Sequence, residues 1–232
     1  MNYCYVLFFL TSFFYSDSWN QSKNPLDQGT VFYTYNLLGN TEIKELIFKG
    51  NESVYKHHQD AKTFITPEGY EIYSHKRHFD WFLNSRTNEV THYERLRDGV
   101  LIFSIYKPDE IKWEITDETK TLLGFKVQKA IAKDHPFSKG SSMPGGDAVA
   151  WFAVDIPCNS GPEKYWGLPG LILELRFTSF KGFYMADKIS TSPVEIVKPK
   201  DGIQVPKDQL LKREGIDKKW LKNARELLNN DN

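Results

Sequence analysis

The sequence predicts a mainly β protein: an antiparallel, strongly curved sheet or open half-barrel of about ten strands, with a C-terminal amphipathic helix. Three observations carry this. Aromatic residues make up 15% of the chain (Phe 16, Tyr 12, Trp 6), and these side chains suit a pleated, half-buried surface. Segment after segment alternates apolar and polar residues with a period of two. Gly, Pro, Asn and Ser interrupt these segments every 10–15 residues or roughly so, the rhythm of strands joined by turns.

Taken in order, the chain opens with an apolar and aromatic run from Tyr3 to Tyr15 and then turns polar. The run has the length of a signal-peptide core and is too short to span a bilayer comfortably. No Lys or Arg precedes Lys23, and Ser16 and Ser18 fit the small-residue positions of a cleavage site. Residues 1–18 therefore read as a signal peptide and Trp19 as the first mature residue; an uncleaved anchor is the competing reading. Cys4 lies too early, and in the wrong context, for a lipoprotein acceptor. Without residues 1–18 the chain keeps one cysteine, Cys158, so an exported form has no internal disulfide.

Residues 19–204 read as the β domain. "TVFYTYNLL", "GYEIYSH", "FDWFL", "EVTHYERL" and "GVLIFSIYKP" are strand-like, and a hairpin turn is expected around Asn84 to Asn88. "IKWEI" places Ile111, Trp113 and Ile115 on one face, and "GFKVQKAIA" does the same with Phe125, Val127 and Ile131. "AVAWFAVDIP" is almost continuously apolar, as in a central strand, whereas "LILELRF" sets Leu171, Leu173, Leu175 and Phe177 against Ile172, Glu174 and Arg176. Between them "DHPFSKGSSMPGGDA", residues 134–148, is an exposed loop. Residues 205–232 read as a helical tail, in which Trp220, Leu221, Ala224, Leu227 and Leu228 form an apolar stripe.

A chain of 232 residues buries about two thirds of the surface its unfolded form exposes, so no metal or disulfide is needed for folding. Lys+Arg 30 balance Asp+Glu 30. No global field draws phosphate backbones towards the protein, and nucleic acid is not an expected partner.

The segments "KTLLGFKVQKA" and "AWFAVDIPCNSGPEKYWGLPGLILEL" contain Gly124, Phe125, Lys129, Ala130, Ala150, Trp151, Ile156, Pro157, Gly161, Pro162 and the run Gly167 to Ile172. This linked set resembles the GLPGLI family of exported proteins found mainly in Bacteroidetes. The resemblance covers about fifty residues. It implies export to the periplasm or outer envelope, a β-rich fold, and outer-membrane receptor or transport components as partners; it implies no established reaction. One position departs from the family pattern, since many members carry Cys where Val127 stands.

The expected site centres on Trp151, Trp166, Gly167, Leu168, Pro169, Gly170, Leu171 and Ile172. A phosphate-cradling loop needs open backbone N–H groups at a helix N-terminus, but Pro169 has none and a strand follows. The run is instead expected to make a type II turn over residues 168–171, with Gly170 at positive φ. Gly161 and Gly167 would let backbone pass close to Trp151 or Trp166.

Other candidate chemistry is sparse. His57 and His58 face opposite ways on a strand and do not share an ion; His75, His78 and His92 are the remaining candidate metal set, weighed against ordinary solvated histidines. Cys158 lacks a recognisable base, although His135 could approach it. G-x-S-x-G, Walker A, HExxH and dinucleotide motifs are absent, so no catalytic residue, metal or cofactor is assigned. Two function classes follow. One is a non-catalytic envelope binding or accessory protein that holds a hydrophobic ligand, lipid, peptide or partner against Trp81, Trp113 and Trp151. The other is an envelope hydrolase, peptidase-like, whose groups assemble only in space. For the tryptophans, plain core packing is the simpler account.

Overall fold

The computed structural model describes residues 26–74, 77–96, 99–107, 111–133, 146–179 and 182–207. The expected signal peptide, most of the 134–148 loop, His75, His135 and the apolar stripe of the tail lie outside these residues. Fourteen strands are present among them: β1 Gln28–Leu37, β2 Asn40–Lys49, β3 Glu52–Gln59, β4 Lys62–Ile65, β5 Glu71–Ser74, β6 Arg77–Asn84, β7 Glu89–Arg95, β8 Leu101–Tyr106, β9 Trp113–Leu122, β10 Phe125–Ala132, β11 Ala148–Ala153, β12 Leu171–Phe177, β13 Gly182–Ser190 and β14 Ile203–Gln204. The described residues contain no helix element.

Twelve strands form one sheet in the order β14-β8-β7-β6-β3-β2-β1-β13-β12-β11-β10-β9, while β4 and β5 form a separate hairpin. All pairs in the large sheet are antiparallel except β14 with β8. Apart from β14, which follows β13 in the chain and joins β8 in parallel, the order shows two antiparallel meanders, β1-β2-β3-β6-β7-β8 and β9-β10-β11-β12-β13, joined at a seam between β1 and β13. Its ends, β14 and β9, do not pair with each other, so the barrel is not closed.

Two tight hairpins use the same chemistry. Leu37 pairs with Asn40 and Leu122 with Phe125, and the two central residues of each turn have positive φ: Leu38 51° and Gly39 83°, Leu123 50° and Gly124 81°. That is the type I′ geometry whose twist matches the flanking strands. The expected turn near Asn84 to Asn88 is also present, with the Asn84 side chain accepting from the Arg86 and Thr87 N–H groups at 3.0 and 3.2 Å.

The sheet bends. Ten strand spacings separate β8 from β9, about 48 Å in a flat sheet. Yet Trp113 on β9 donates its Nε1 hydrogen to the Trp166 carbonyl at 2.7 Å, and the Trp166 ring lies 6.2 Å from that of Tyr106 on β8. Side chains cannot bridge the difference, so the sheet curls around the segment between β11 and β12. The core lies on this inner face, where Tyr33, Phe48, Tyr55, Phe79, Trp81 and Tyr106 meet Phe152, Trp166 and Leu168. On the opposite face Val54, Phe82 and Tyr93 form a smaller cluster beneath Ile196, and Tyr93 OH donates to the Pro199 carbonyl at 3.3 Å.

Three simple alternations break at identifiable places. On β10 a register shift between Gln128 and Ala130 moves Ala130 and Ala132 into the core beside Val127, while Ile131 is only half buried. On β12 the five residues Leu171 to Leu175 are all buried, because the shift at Trp151/Phe152 interrupts the face pattern. Ile111 is buried, but Ile115 is 46% exposed, since β9 is an edge strand without a neighbour on one side.

Candidate functional site

Residues 154–170 leave β11, cross the inner face and return as β12. Backbone hydrogen bonds tie this segment to itself and to its strand: Gly167 N to Asn159 O at 3.0 Å, Leu171 N to Ile156 O at 3.1 Å, and Ile172 N to Ser160 O at 3.0 Å. The expected type II turn is therefore not formed. Leu171 N is used by Ile156 rather than by Leu168, and positive φ falls on Gly167 (89°) and not on Gly170. Gly170 is required by a close approach, since a Cβ there would lie 2.7 Å from the Ala153 carbonyl carbon and 3.0 Å from Val154 Cα. At Gly161 the close neighbours are Ile172 and the Tyr165 carbonyl, not Trp151 or Trp166.

The expected site residues divide by environment. Trp166, Leu168, Gly170, Leu171 and Ile172 are buried, Gly167 and Pro169 are exposed, and Trp151 is half buried. Trp166 packs against Trp81, ring centres 5.7 Å apart. Trp151 belongs to another neighbourhood, lying under the Lys120 ammonium, which is 4.2 Å from its ring centre.

A polar cluster that sequence reasoning did not single out gathers where residues 154–170 meet β1, β3 and β13. Glu163 has a left-handed backbone, φ 52°, uncommon for a residue with a Cβ. Its carboxylate accepts a hydrogen bond from Tyr184 OH at 2.6 Å and stands 3.7 Å from His57 Nδ1. Tyr35 stacks on Tyr184 with ring centres 4.6 Å apart, and His57 stacks on Phe79 at 4.3 Å. Burial pushes the Tyr55 and Tyr184 hydroxyls well above the usual phenol range, and the Glu163 charge adds to the rise; both stay protonated. Tyr33 is held up by burial in the same way and donates to the Ile172 carbonyl at 2.6 Å. The cluster thus sets one phenol donor, Tyr184, on one carboxylate and clasps residues 154–170 onto three strands. No short motif announces it, because His57, Glu163 and Tyr184 come from distant stretches; the only local signal was an acidic residue directly after Gly161-Pro162.

The structure places the two candidates for chemistry that the sequence left unassigned. Burial pushes the Cys158 thiol up to about 12, despite contacts with the Ser160 backbone and the Ser53 hydroxyl that act the other way. It is a core thiol and a poor nucleophile. His92 pairs across the sheet with Trp81 and stacks on it at 4.0 Å, on the inner face. His78 pairs with His58 and stacks on it at 5.0 Å, on the outer face, so His78 and His92 cannot share an ion. Among the described residues no group of three or more His, Cys, Asp or Glu is placed to hold a metal.

With this geometry in view, residues 145–174 carry a family match. That stretch is similar to Porph_ging, a protein of unknown function. The Porph_ging stretch runs from the approach to β11 through residues 154–170 into β12, so the matched sequence is the segment around which the sheet bends. Among solved structures, PNGF-II in the P21 space group aligns with a TM-score of 0.56 at 12% identity, over 81% of this chain and 33% of PNGF-II. PNGF-II in the C2 space group aligns with a TM-score of 0.52 at 15% identity, over 85% and 32%. At these identities the likeness is one of fold, and the chain spans about a third of PNGF-II. No curated protein matches the chain.

Proposed function

We propose that this is an exported envelope protein that works by binding, as an accessory that docks a partner on an open half-barrel scaffold. The observation that carries the reading is where apolar surface is spent. The aromatic inner face is filled by residues 154–170, whereas the β4–β5 hairpin carries Ile65, Tyr70 and Tyr73 at 71%, 70% and 59% exposure. A two-stranded hairpin is marginal by itself. This one is held to the sheet through the Lys62 ion pair with Glu42 at 2.5 Å and through Pro67, which sits against Gly39. Ile65 and Tyr73 lie on the same face of the hairpin, diagonal across its register, as an aromatic and aliphatic anchor pair would. The partner class is an outer-membrane receptor or transport component, and the resemblance to exported GLPGLI proteins supports the compartment.

Photo-crosslinking tests this. A crosslinking amino acid at Ile65 or Tyr73, introduced in the native host, is expected to give a discrete adduct with an outer-membrane protein. The same probe at Leu123, on the β9–β10 turn, gives none. Equal labelling at all three positions would remove the reading. Export is checked separately by sequencing the mature N-terminus, expected at Trp19; protein retaining Met1 in the cytosol would contradict it.

A further inference from the structure

We propose that the cleft between β1, β12 and β13 is an oxyanion site that takes a carboxylate or phosphate group on Arg176. The cleft has a volume of about 560 Å³ and is lined by Asn36, Arg176, Thr178, Ser179, Gly182 and Phe183, among others. Asn36 and Arg176 both pair with Phe183, one from each side. The amide, the ring and the guanidinium therefore stand in one row on the outer face.

Arg176 is fixed from two directions. Its Nε donates to Glu174 Oε1 at 2.5 Å, and its guanidinium lies 5.0 Å from the Phe183 ring centre. The Glu174 carboxylate, 4% exposed, is also paired with Lys120, so two cations face one anion and the group keeps a net positive charge. Burial raises the Glu174 pKa, but the hydrogen bonds and charges of Lys120 and Arg176 outweigh it and hold the carboxyl below its usual range. The two terminal guanidinium nitrogens make no hydrogen bond to a described residue, and the side chain is 48% exposed. An arginine held in this way offers a planar fork that matches two oxygens of a carboxylate or phosphate, and the Glu174 and Phe183 contacts supply part of its ordering before a ligand arrives. Two sources supply the chemistry, a peptide C-terminus and a phosphate monoester.

Titrations of the 15N-labelled full chain with inorganic phosphate and with N-acetyl-dialanine separate them. At least one probe is expected to shift the amides of Arg176, Thr178, Ser179 and Gly182 saturably, with a Kd of about 1 mM or tighter, and the one that binds more tightly names the source. The N-acetyl-dialanine amide, which lacks the charge, is expected to leave the same signals in place. Arg176→Gln should weaken binding at least about tenfold. Because that change unbalances Glu174, Asn36→Asp serves as the second variant: it leaves the Lys120–Glu174–Arg176 group intact, adds a negative charge to the cleft, and should weaken binding as much with a folded spectrum. Absence of saturable shifts with both probes, or an unchanged affinity in Asn36→Asp, overturns the proposal.

Discussion

Gly167 and Gly170 look interchangeable in the hexapeptide, yet the structure uses them for different reasons. Gly167 is exposed and left-handed, φ 89°, so a side chain there costs backbone strain of about 1–2 kcal/mol. Gly170 is buried against the Ala153–Val154 backbone, where a methyl group has to push main chain aside at about 3 kcal/mol. Thermal or urea unfolding should therefore rank Gly170→Ala as the more damaging substitution, with Gly167→Asn milder than Gly167→Ala because Asn tolerates the left-handed region. The reverse order would mean that backbone angle, not close approach, governs this stretch. The hexapeptide was legible as the entry to a strand, but the type II turn expected there does not form, and which glycine did what was not legible. That depended on Ile156 and Ala153, residues that meet the motif only after β11 and β12 have paired.

At the scale of elements, the period-two segments were read correctly as strands, because side chains that alternate faces leave that pattern directly in the sequence. The failures cluster at irregular points. "LLG" recurs at residues 37–39 and 122–124, and the first copy read as the end of a strand because Leu is not a usual turn residue. The structure forces Leu38 and Leu123 into left-handed backbone, where both are partly exposed, at 38% and 43%. Replacing each by Asn, which enters that region more readily, should stabilise the protein by about 0.5–1 kcal/mol per turn. Differential scanning calorimetry of Leu38→Asn and Leu123→Asn checks this, and a lowered midpoint in both would show that the leucine side chains contribute contacts that outweigh the strain. The irregular points where β10 meets β9 and β11 meets β12 are equally silent in the sequence. Two extra residues on β9, between Thr119 facing Gln128 and Ile115 facing Ala130, and one on β12, between Glu174 facing Trp151 and Ile172 facing Phe152, change which side chains are buried without altering any local propensity.

For the whole molecule, pH reaches the fold through a polar corner of the core. Lys44 is 2% exposed and bound to Glu42 at 2.6 Å, and Lys62 brings the β4–β5 hairpin to the same carboxylate. Burial alone would raise the Glu42 pKa; hydrogen bonds from Lys44, Lys62 and Asn40 and the Lys44 charge reverse that and hold it at about 2. Because the folded value lies below the unfolded one, this contribution is complete above about pH 5 and fades as pH falls towards 2. Acid unfolding of the wild type should steepen in that window. Glu42→Gln, less stable at neutral pH because it leaves Lys44 buried beside an uncharged partner, should show a flatter profile that meets the wild type near the acid end. Parallel profiles would assign the acid sensitivity elsewhere.

The seam between β1 and β13 carries a further consequence, one of timing. Thr30 has Ser190 as its neighbour across the sheet, so the first strand of one meander waits for the last strand of the other before either is covered. Until then β1, paired with β2 on one side only, presents a bare row of amides and carbonyls along the other, the exposure that invites intermolecular pairing. A chain delivered from its N-terminus must keep this edge of β1 out of trouble for about two thirds of its length, and slow delivery is expected to make this junction a weak point of assembly.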